Sequence, residues 1–339
     1  MPEYKTQMKD PNNAVEFENL QTCFFTEKGT VKAVDGVTFS VPAGKTVGVV
    51  GESGCGKSVT ALSLMQLLQR PRGKVTGGSI RLNCGDYACD TVKAPEKVME
   101  KLRGETVAMV FQEPMTALNP VLTIGEQVDE VILAHRKERG KSVRRRTVRL
   151  LQQVGIPDPE GVCSRYPHNL SGGMRQRVCI AIALACDPRL IVADEPTTAL
   201  DVTVQAQILE LLRKLKEETG CAVMLITHDL GVVAELADLV VVMYAGRVVE
   251  QGTVEEIFYT PAHPYTVALM RAKPVVGKKV ESLYAIGGSV PDPARLPESC
   301  YFAERCIRRA EACGKYPDAV RLSPTHTVSC HFREEKYNG

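Results

Sequence analysis

At 339 residues the chain exceeds one average domain and has room for a sizeable core plus a smaller appended module. A net charge of +2, with 44% hydrophobic and 24% charged residues, is ordinary for a soluble globular protein and gives no reason to expect nucleic acid as a partner. No uninterrupted apolar stretch approaches the roughly 18 residues of a membrane helix, and the amino terminus MPEYKTQMKD has no signal-peptide core. Any service to a membrane is therefore expected from the cytosol, through partners.

In chain order, the first informative segment is Thr46-Val-Gly-Val-Val50, an apolar run of strand type. Gly51-Glu-Ser-Gly-Cys-Gly-Lys-Ser58 follows at once, and helical periodicity continues from Val59 to Leu68. Strand, G-x-x-x-x-G-K-S loop and helix together predict a phosphate-binding P-loop. Its glycines let backbone N–H groups converge on phosphates, and the helix amino terminus adds a favourable dipole. Gly51, Ser53, Gly54, Cys55, Gly56, Lys57, Ser58 and Val59 are the expected nucleotide contacts. Lys57 reaches the β- and γ-phosphates and the Ser58 hydroxyl ligates Mg²⁺. The Cys55 side chain is not required there, although an exposed thiol at that point would make activity sensitive to alkylation.

Cys84 and Cys89 flank a Gly/Asp-rich hairpin and read as surface or half-buried thiols. The basic run Arg136–Arg146 reads as a solvated helix face. At Leu170-Ser-Gly-Gly-Met-Arg-Gln-Arg177, Ser171, Gly172 and Gly173 open a helix that runs on through Val178 to Ala185. Their N–H groups and the helix dipole make a second anion site. The strand Leu190–Ala193 then delivers two carboxylates, Asp194 and Glu195, at its carboxyl end, the ligand-binding rim of a parallel α/β sheet. Asp194 suits Mg²⁺, through water, and Glu195 suits a general base on the attacking water. A further strand, Ala222–Ile226, leads to His228, placed for a γ-phosphate contact.

Twelve cysteines are many for a cytosolic chain, and a disulfide framework is not expected here. Eight are scattered (Cys23, Cys55, Cys84, Cys89, Cys163, Cys179, Cys186 and Cys221) and read mostly as small buried apolar residues. The other four follow the spacing Cys300-x5-Cys306-x6-Cys313-x16-Cys330. Four thiolates suit a tetrahedral Zn²⁺ or a [4Fe–4S] cluster. The lack of any closely spaced pair favours the cluster over zinc, with unligated thiols as the third reading. Its expected role is structural, folding a loop-rich segment with little core of its own.

The segment Leu170–Arg177 resembles the LSGGQ signature of ABC ATPases, with Met174 where glutamine is commonest. That resemblance spans roughly residues 15 to 260. It implies an α/β fold, a P-loop ABC-type nucleotide-binding domain with a RecA-like core, an antiparallel β subdomain and a helical subdomain. It implies further that the signature loop binds the γ-phosphate of nucleotide held by a partner, so that ATP closes a sandwich dimer and hydrolysis reopens it. Phe111-Gln112 resembles the Q-loop, which gives Gln112 a place at Mg²⁺ and the water. Ala199-Leu200-Asp201 resembles the D-loop. Phe24, with Phe25 as second choice, is the expected adenine-stacking aromatic. The implied catalytic set is Lys57, Gln112, Glu195 and His228, with ATP and Mg²⁺.

Beyond the cassette, Gln251–Phe258 and Thr260–Arg271, with Phe111–Pro120 and Asp194–Asp201, resemble the oligopeptide/dipeptide importer branch, most closely its dipeptide-permease "D" ATPase type. That resemblance also points to a [4Fe–4S] centre on Cys300, Cys306, Cys313 and Cys330. The expected division is residues 14–260 for the cassette, with its helical subdomain at about 112–180, and 261–339 for a C-terminal extension. The branch implies a second, homologous ABC ATPase subunit as heterodimer partner, two transmembrane permease subunits and an extracytoplasmic substrate-binding protein. It implies a peripheral place on the cytoplasmic face of the inner membrane. The same motor in a nickel or sugar-oligomer importer is the alternative. A soluble ABC ATPase of DNA repair or translation is a distant one, since the chain has a single cassette and no heptad run.

Overall fold

The computed structural model describes residues 2–27, 29–198, 200–272 and 284–332, so Ala199 of the expected D-loop lies outside the described residues. The fold is α/β and forms two compact units, each assembled from three stretches. One holds Met1–Val15, Val41–Thr46 and Arg81–Ile226, and the other Glu16–Ser40, Val47–Ile80 and Thr227–Gly339.

In the first unit the strands Val107–Val110, Leu190–Asp194 and Ala222–Ile226 run parallel, in that spatial order. The last two are buried at every position. Both faces are covered, which is why the sequence there is a continuous apolar run and not an alternation. The helix Ile124–His135 starts at a reciprocal Thr123–Glu126 capping box. The basic run belongs to the helix Lys141–Gln153 and the turn before it. Arg146 pairs with Asp187 at 2.8 Å and Arg136 pairs with the same carboxylate. These half-exposed pairs contribute at most about 1 kcal/mol each.

In the second unit, residues Val47–Val50 of the strand Thr46–Val50 pair in parallel with Leu239–Val242. The strand Leu239–Tyr244 turns through Ala245 and Gly246 into the antiparallel strand Arg247–Thr253. Both turn residues have positive φ, 45° and 83°, the mirror-image turn that matches strand twist. The helix after the P-loop covers Lys57–Leu64, shorter than the periodicity to Leu68 implies, because Gln66 adopts a φ of 51°.

The C-terminal segment departs from expectation. Thr327–Val328 pairs with Glu250 and Gln251, and Val320–Arg321 pairs with Thr327–Val328, so the tail extends this sheet. Tyr301 and Phe302 enter the same core as Val50, Val242, Tyr244 and Tyr265. Phe302 lies 5.3 and 5.4 Å, centroid to centroid, from Tyr244 and Tyr265. The segment thus shares an aromatic core with the P-loop strand and needs no metal for one.

The [4Fe–4S] cluster, and the zinc alternative, are overturned as readings of Cys300, Cys306, Cys313 and Cys330. Among the described residues no group of three or more His, Cys, Asp or Glu side chains is placed to hold a metal ion. Cys313 and Cys330 are buried, and all four are free thiols. Burial pushes the Cys300 thiol up to about 11 and raises Cys306 and Cys330. The sulfurs serve local turns instead, Cys306 Sγ accepting from the Arg308 N–H and Cys330 Sγ from the Phe332 N–H, each at 3.4 Å.

Candidate active site

Two of the P-loop glycines, Gly51 and Gly56, leave no room for a side chain. A Cβ at Gly51 would lie 2.2 Å from the Met243 carbonyl oxygen, and one at Gly56, where φ is 99°, 2.5 Å from that of Ala33. The loop backbone is fastened where Gly246 N–H donates to Cys55 O at 3.0 Å. Gly56 caps the helix that Lys57 and Ser58 begin. The Lys57 ammonium is buried and donates to Gly51 O and Glu52 O, both at 2.9 Å, and to Cys55 Sγ at 3.7 Å. A buried cation held by neutral acceptors calls for an anion, and that donor set fits a triphosphate. Ser53 and Gly54 are exposed at the loop tip, while Ser58 and Val59 are half-buried. In the same unit Thr227 N–H bonds Val49 O at 3.2 Å, and Asp229 caps the helix Leu230–Leu236, with the exposed His228 between them.

The other unit carries the acidic strand end. Asp194, 5% exposed, is the strand's last residue. Glu195 follows at a φ of 45°, its N–H donating to Ile226 O at 2.8 Å. This left-handed conformation is costly for a residue with a Cβ, of order 1 kcal/mol, and here the neighbouring strand holds it. The Glu195 carboxylate accepts from Gln112 Nε2 at 3.1 Å and from Thr198 Oγ1 at 2.8 Å, both on Oε2. Two of the predicted residues, Gln112 and Glu195, are thus brought into direct contact across 83 positions of sequence.

The signature segment forms as expected. Ser171 caps the helix Gly172–Leu184 by accepting from Met174 N–H at 3.4 Å. The glycines also allow a close helix approach, since a Cβ on Gly173 would sit 2.7 Å from Val204 Cγ1. Val204 belongs to the helix Val202–Thr219, whose cap is Asp201, accepting from Val204 N–H at 3.0 Å.

Comparison with known proteins agrees with this geometry. A family model described as ABC transporter matches residues 34–198, and one described as oligopeptide/dipeptide transporter, C-terminal region, matches residues 249–313. The oligopeptide transport ATP-binding protein AppD of Bacillus subtilis (strain 168) is 51% identical, over 95% of this chain and 97% of its own. The chain belongs to the ABC transporter ATP-binding family. The dipeptide transport ATP-binding protein DppD of the same organism is 48% identical over 94% of both chains. Among solved structures, the dimeric post-hydrolysis state of the ATP-binding cassette MJ0796 bound to ADP and Pi is 28% identical. It has a TM-score of 0.63 and covers 71% of this chain and 98% of that one. The protein is an ABC-type ATPase.

For this ABC ATPase some finer expectations change. Cys55 is 1% exposed and burial raises its thiol pKa, so it offers no ready target for alkylation. Cys89 is fully buried and pushed up to about 12, mainly by burial. Phe24 is half-buried, with a ring carbon 2.9 Å from where a Gly73 Cβ would stand, whereas Phe25 is 45% exposed.

Residues that motif reading missed also hold the site. Thr198 lies three places beyond Glu195 and touches its carboxylate. Glu52, an unspecified position of the P-loop motif, is gripped by Tyr265 and Arg305. The hydroxyl beside the acidic pair was visible in the sequence, but the partners of Glu52, more than 200 positions away, were not.

Proposed function

We propose that this ABC ATPase is the motor subunit of an importer of di- and oligopeptides. It works at the cytoplasmic face of the membrane as one half of a nucleotide-sandwich dimer, with a homologous ATPase as the other half. Two transmembrane permease subunits and an extracytoplasmic binding protein complete the assembly. What carries the reading is the nearly end-to-end match, at 51% identity, to an oligopeptide transport ATP-binding protein. Among the described residues no helix is long and apolar enough to cross a membrane, in keeping with a peripheral subunit.

In this reading residues 14–260 act as the cassette, with a helical subdomain at about 112–180 and a C-terminal extension from 261. The P-loop residues Gly51, Ser53, Gly54, Cys55, Gly56, Lys57, Ser58 and Val59 bind the nucleotide phosphates, and Phe24 stacks on adenine. Ser58, Asp194 and Gln112 supply the oxygen donors that suit Mg²⁺, which when bound neutralises developing phosphate charge. Glu195 takes a proton from water as the water oxygen bonds the γ-phosphorus and the β–γ bridging P–O bond breaks. His228 contacts the γ-phosphate from its own unit. Ser171, Gly172, Gly173 and Asp201 act on the nucleotide of the partner subunit.

The test is ATPase activity of the assembled importer in lipid, titrated with binding protein carrying a dipeptide, an oligopeptide, nickel or a sugar oligomer. Stimulation by the peptide-loaded forms is expected. Stimulation by nickel or sugar oligomer without peptide would move the motor to the alternative cargo, and stimulation of the isolated subunit by DNA would remove it from transport.

A further inference from the structure

We propose that the C-terminal segment is a working part of the nucleotide site, in which Arg305 cancels the charge of Glu52 on the P-loop while Tyr265 holds its main chain. This rests on the reading that the P-loop holds the triphosphate. The observations converge on one residue. The main-chain N–H of Glu52 donates to Tyr265 Oη at 2.9 Å. Its carboxylate accepts a two-point contact from Arg305, with Nη1 to Oε2 at 2.7 Å and Nη2 to Oε1 at 3.0 Å. Its carbonyl oxygen accepts from Lys57 Nζ at 2.9 Å. A chain of contacts therefore runs from the tail, through Glu52, to the lysine that meets the phosphates.

Arg305 is built for this task. Its side chain is 5% exposed, yet each of its five N–H donors has an acceptor. Nε donates to Gly287 O at 2.9 Å. Nη1 donates to Glu52 and to Tyr244 Oη at 3.2 Å, and Nη2 donates to Glu52 and to Ile286 O at 3.3 Å. A planar fork so fully used fixes the carboxylate in direction as well as in place. Tyr265 is equally constrained, fully buried with its ring 4.7 Å from Tyr244.

The pairing also has an electrostatic consequence. An acidic side chain on the loop that receives a polyphosphate would repel it, and the repulsion is strong where water is partly excluded. The buried guanidinium cancels that charge. Arg305 is thus a positioning residue, and its removal exposes ATP to an uncompensated Glu52.

The decisive experiment measures MgATP affinity of the full-length chain by calorimetry, kcat and KM in the assembled importer, and Tm, for four variants. Arg305→Gln is expected to weaken MgATP binding roughly tenfold and to raise KM in step, with kcat changed less than about twofold. The double variant Glu52→Gln with Arg305→Gln is expected to regain most of that affinity, because no unpaired carboxylate remains. Loss of a merely structural brace would leave the double variant no better than the single one, and that result overturns the proposal. Unchanged affinity in a folded Arg305→Gln overturns it as well. If Arg305→Gln does not fold, Arg305→Lys decides, since it keeps a cation but not the two-point fork; MgATP binding is expected to weaken about two- to fivefold, and unchanged binding overturns the proposal. Lys57→Ala separates the two levels of argument. If it binds MgATP like wild type, the nucleotide reading of the P-loop fails; if it loses binding while Arg305→Gln does not, only the role of the tail fails.

Discussion

Two glutamates stand on the two motif loops of this ATPase and are held in opposite ways. Glu52 on the P-loop faces a buried guanidinium at two points, and its main-chain N–H is bonded as well. Glu195, after the acidic strand, accepts from the neutral donors Gln112 and Thr198, both on a single oxygen. A guanidinium fork fixes a carboxylate in place and cancels its charge, whereas amide and hydroxyl donors orient it without supplying a charge. In the proposed function the first glutamate serves as a strut of the P-loop and the second as the general base.

The largest effect comes from testing the base. Glu195→Gln keeps the shape and loses the proton acceptor, so turnover should fall roughly 10²–10⁴-fold. The variant should retain MgATP and accumulate as a dimer in size-exclusion chromatography. Unchanged turnover would falsify the assignment of Glu195 and erase the contrast with Glu52.

Acid should loosen the strut region next. His263 caps the helix Pro264–Arg271, which carries Tyr265, and its Nδ1 accepts from Tyr265 N–H at 3.0 Å. Burial pushes His263 down to about 4 from an ordinary value near 6.5. Between those two pH values the unfolded chain binds a proton that the folded chain refuses. Stability should therefore be complete above about pH 6.5 and fall as pH drops toward about 4, by up to about 3 kcal/mol. Melting curves between pH 7.5 and 4.5 would show this, and His263→Asn, which keeps a capping oxygen, should flatten the profile. An unflattened profile would shift the acid sensitivity to other groups.

How much of this could be read in the sequence follows the range of the interactions. The strands Thr46–Val50 and Ala222–Ile226 were legible to the residue because burial on both faces leaves an unbroken apolar run. The loop glycines and Ser171 at the opening of its helix were legible because short-range geometry admits few residue types there, whereas Asp201 was read only as part of a D-loop-like segment and its capping role came from the structure. The tail was misread because cysteine spacing alone cannot tell a ligand set from small residues that pack locally, and among the described residues no group of three or more ligating side chains is placed to hold a metal. The partners of Glu52 lie 213 and 253 positions away, beyond any local pattern.

The contrast can be sharpened on its catalytic side by Thr198→Val, which removes one neutral donor from Glu195 at nearly constant volume. A net hydrogen bond to a charged group contributes about 1.5–3 kcal/mol at most, and Gln112 remains, so kcat should fall roughly three- to tenfold with KM little changed. A rise in KM without loss of kcat would place Thr198 in binding and not in orienting the base.

The smallest expected effect isolates the main-chain half of the strut. Tyr265→Phe preserves the ring against Tyr244 and Phe302 and deletes the one oxygen that accepts from Glu52 N–H. Glu52 is half-buried, so water can replace part of that bond, and the cost should be about 1 kcal/mol in stability. Arg305 still clamps the carboxylate, so MgATP affinity should fall only about two- to fivefold, clearly less than in Arg305→Gln. That ranking is the informative quantity. If Tyr265→Phe weakened binding as much as Arg305→Gln, the strut would act through backbone position alone, and cancellation of the Glu52 charge would have no separate role.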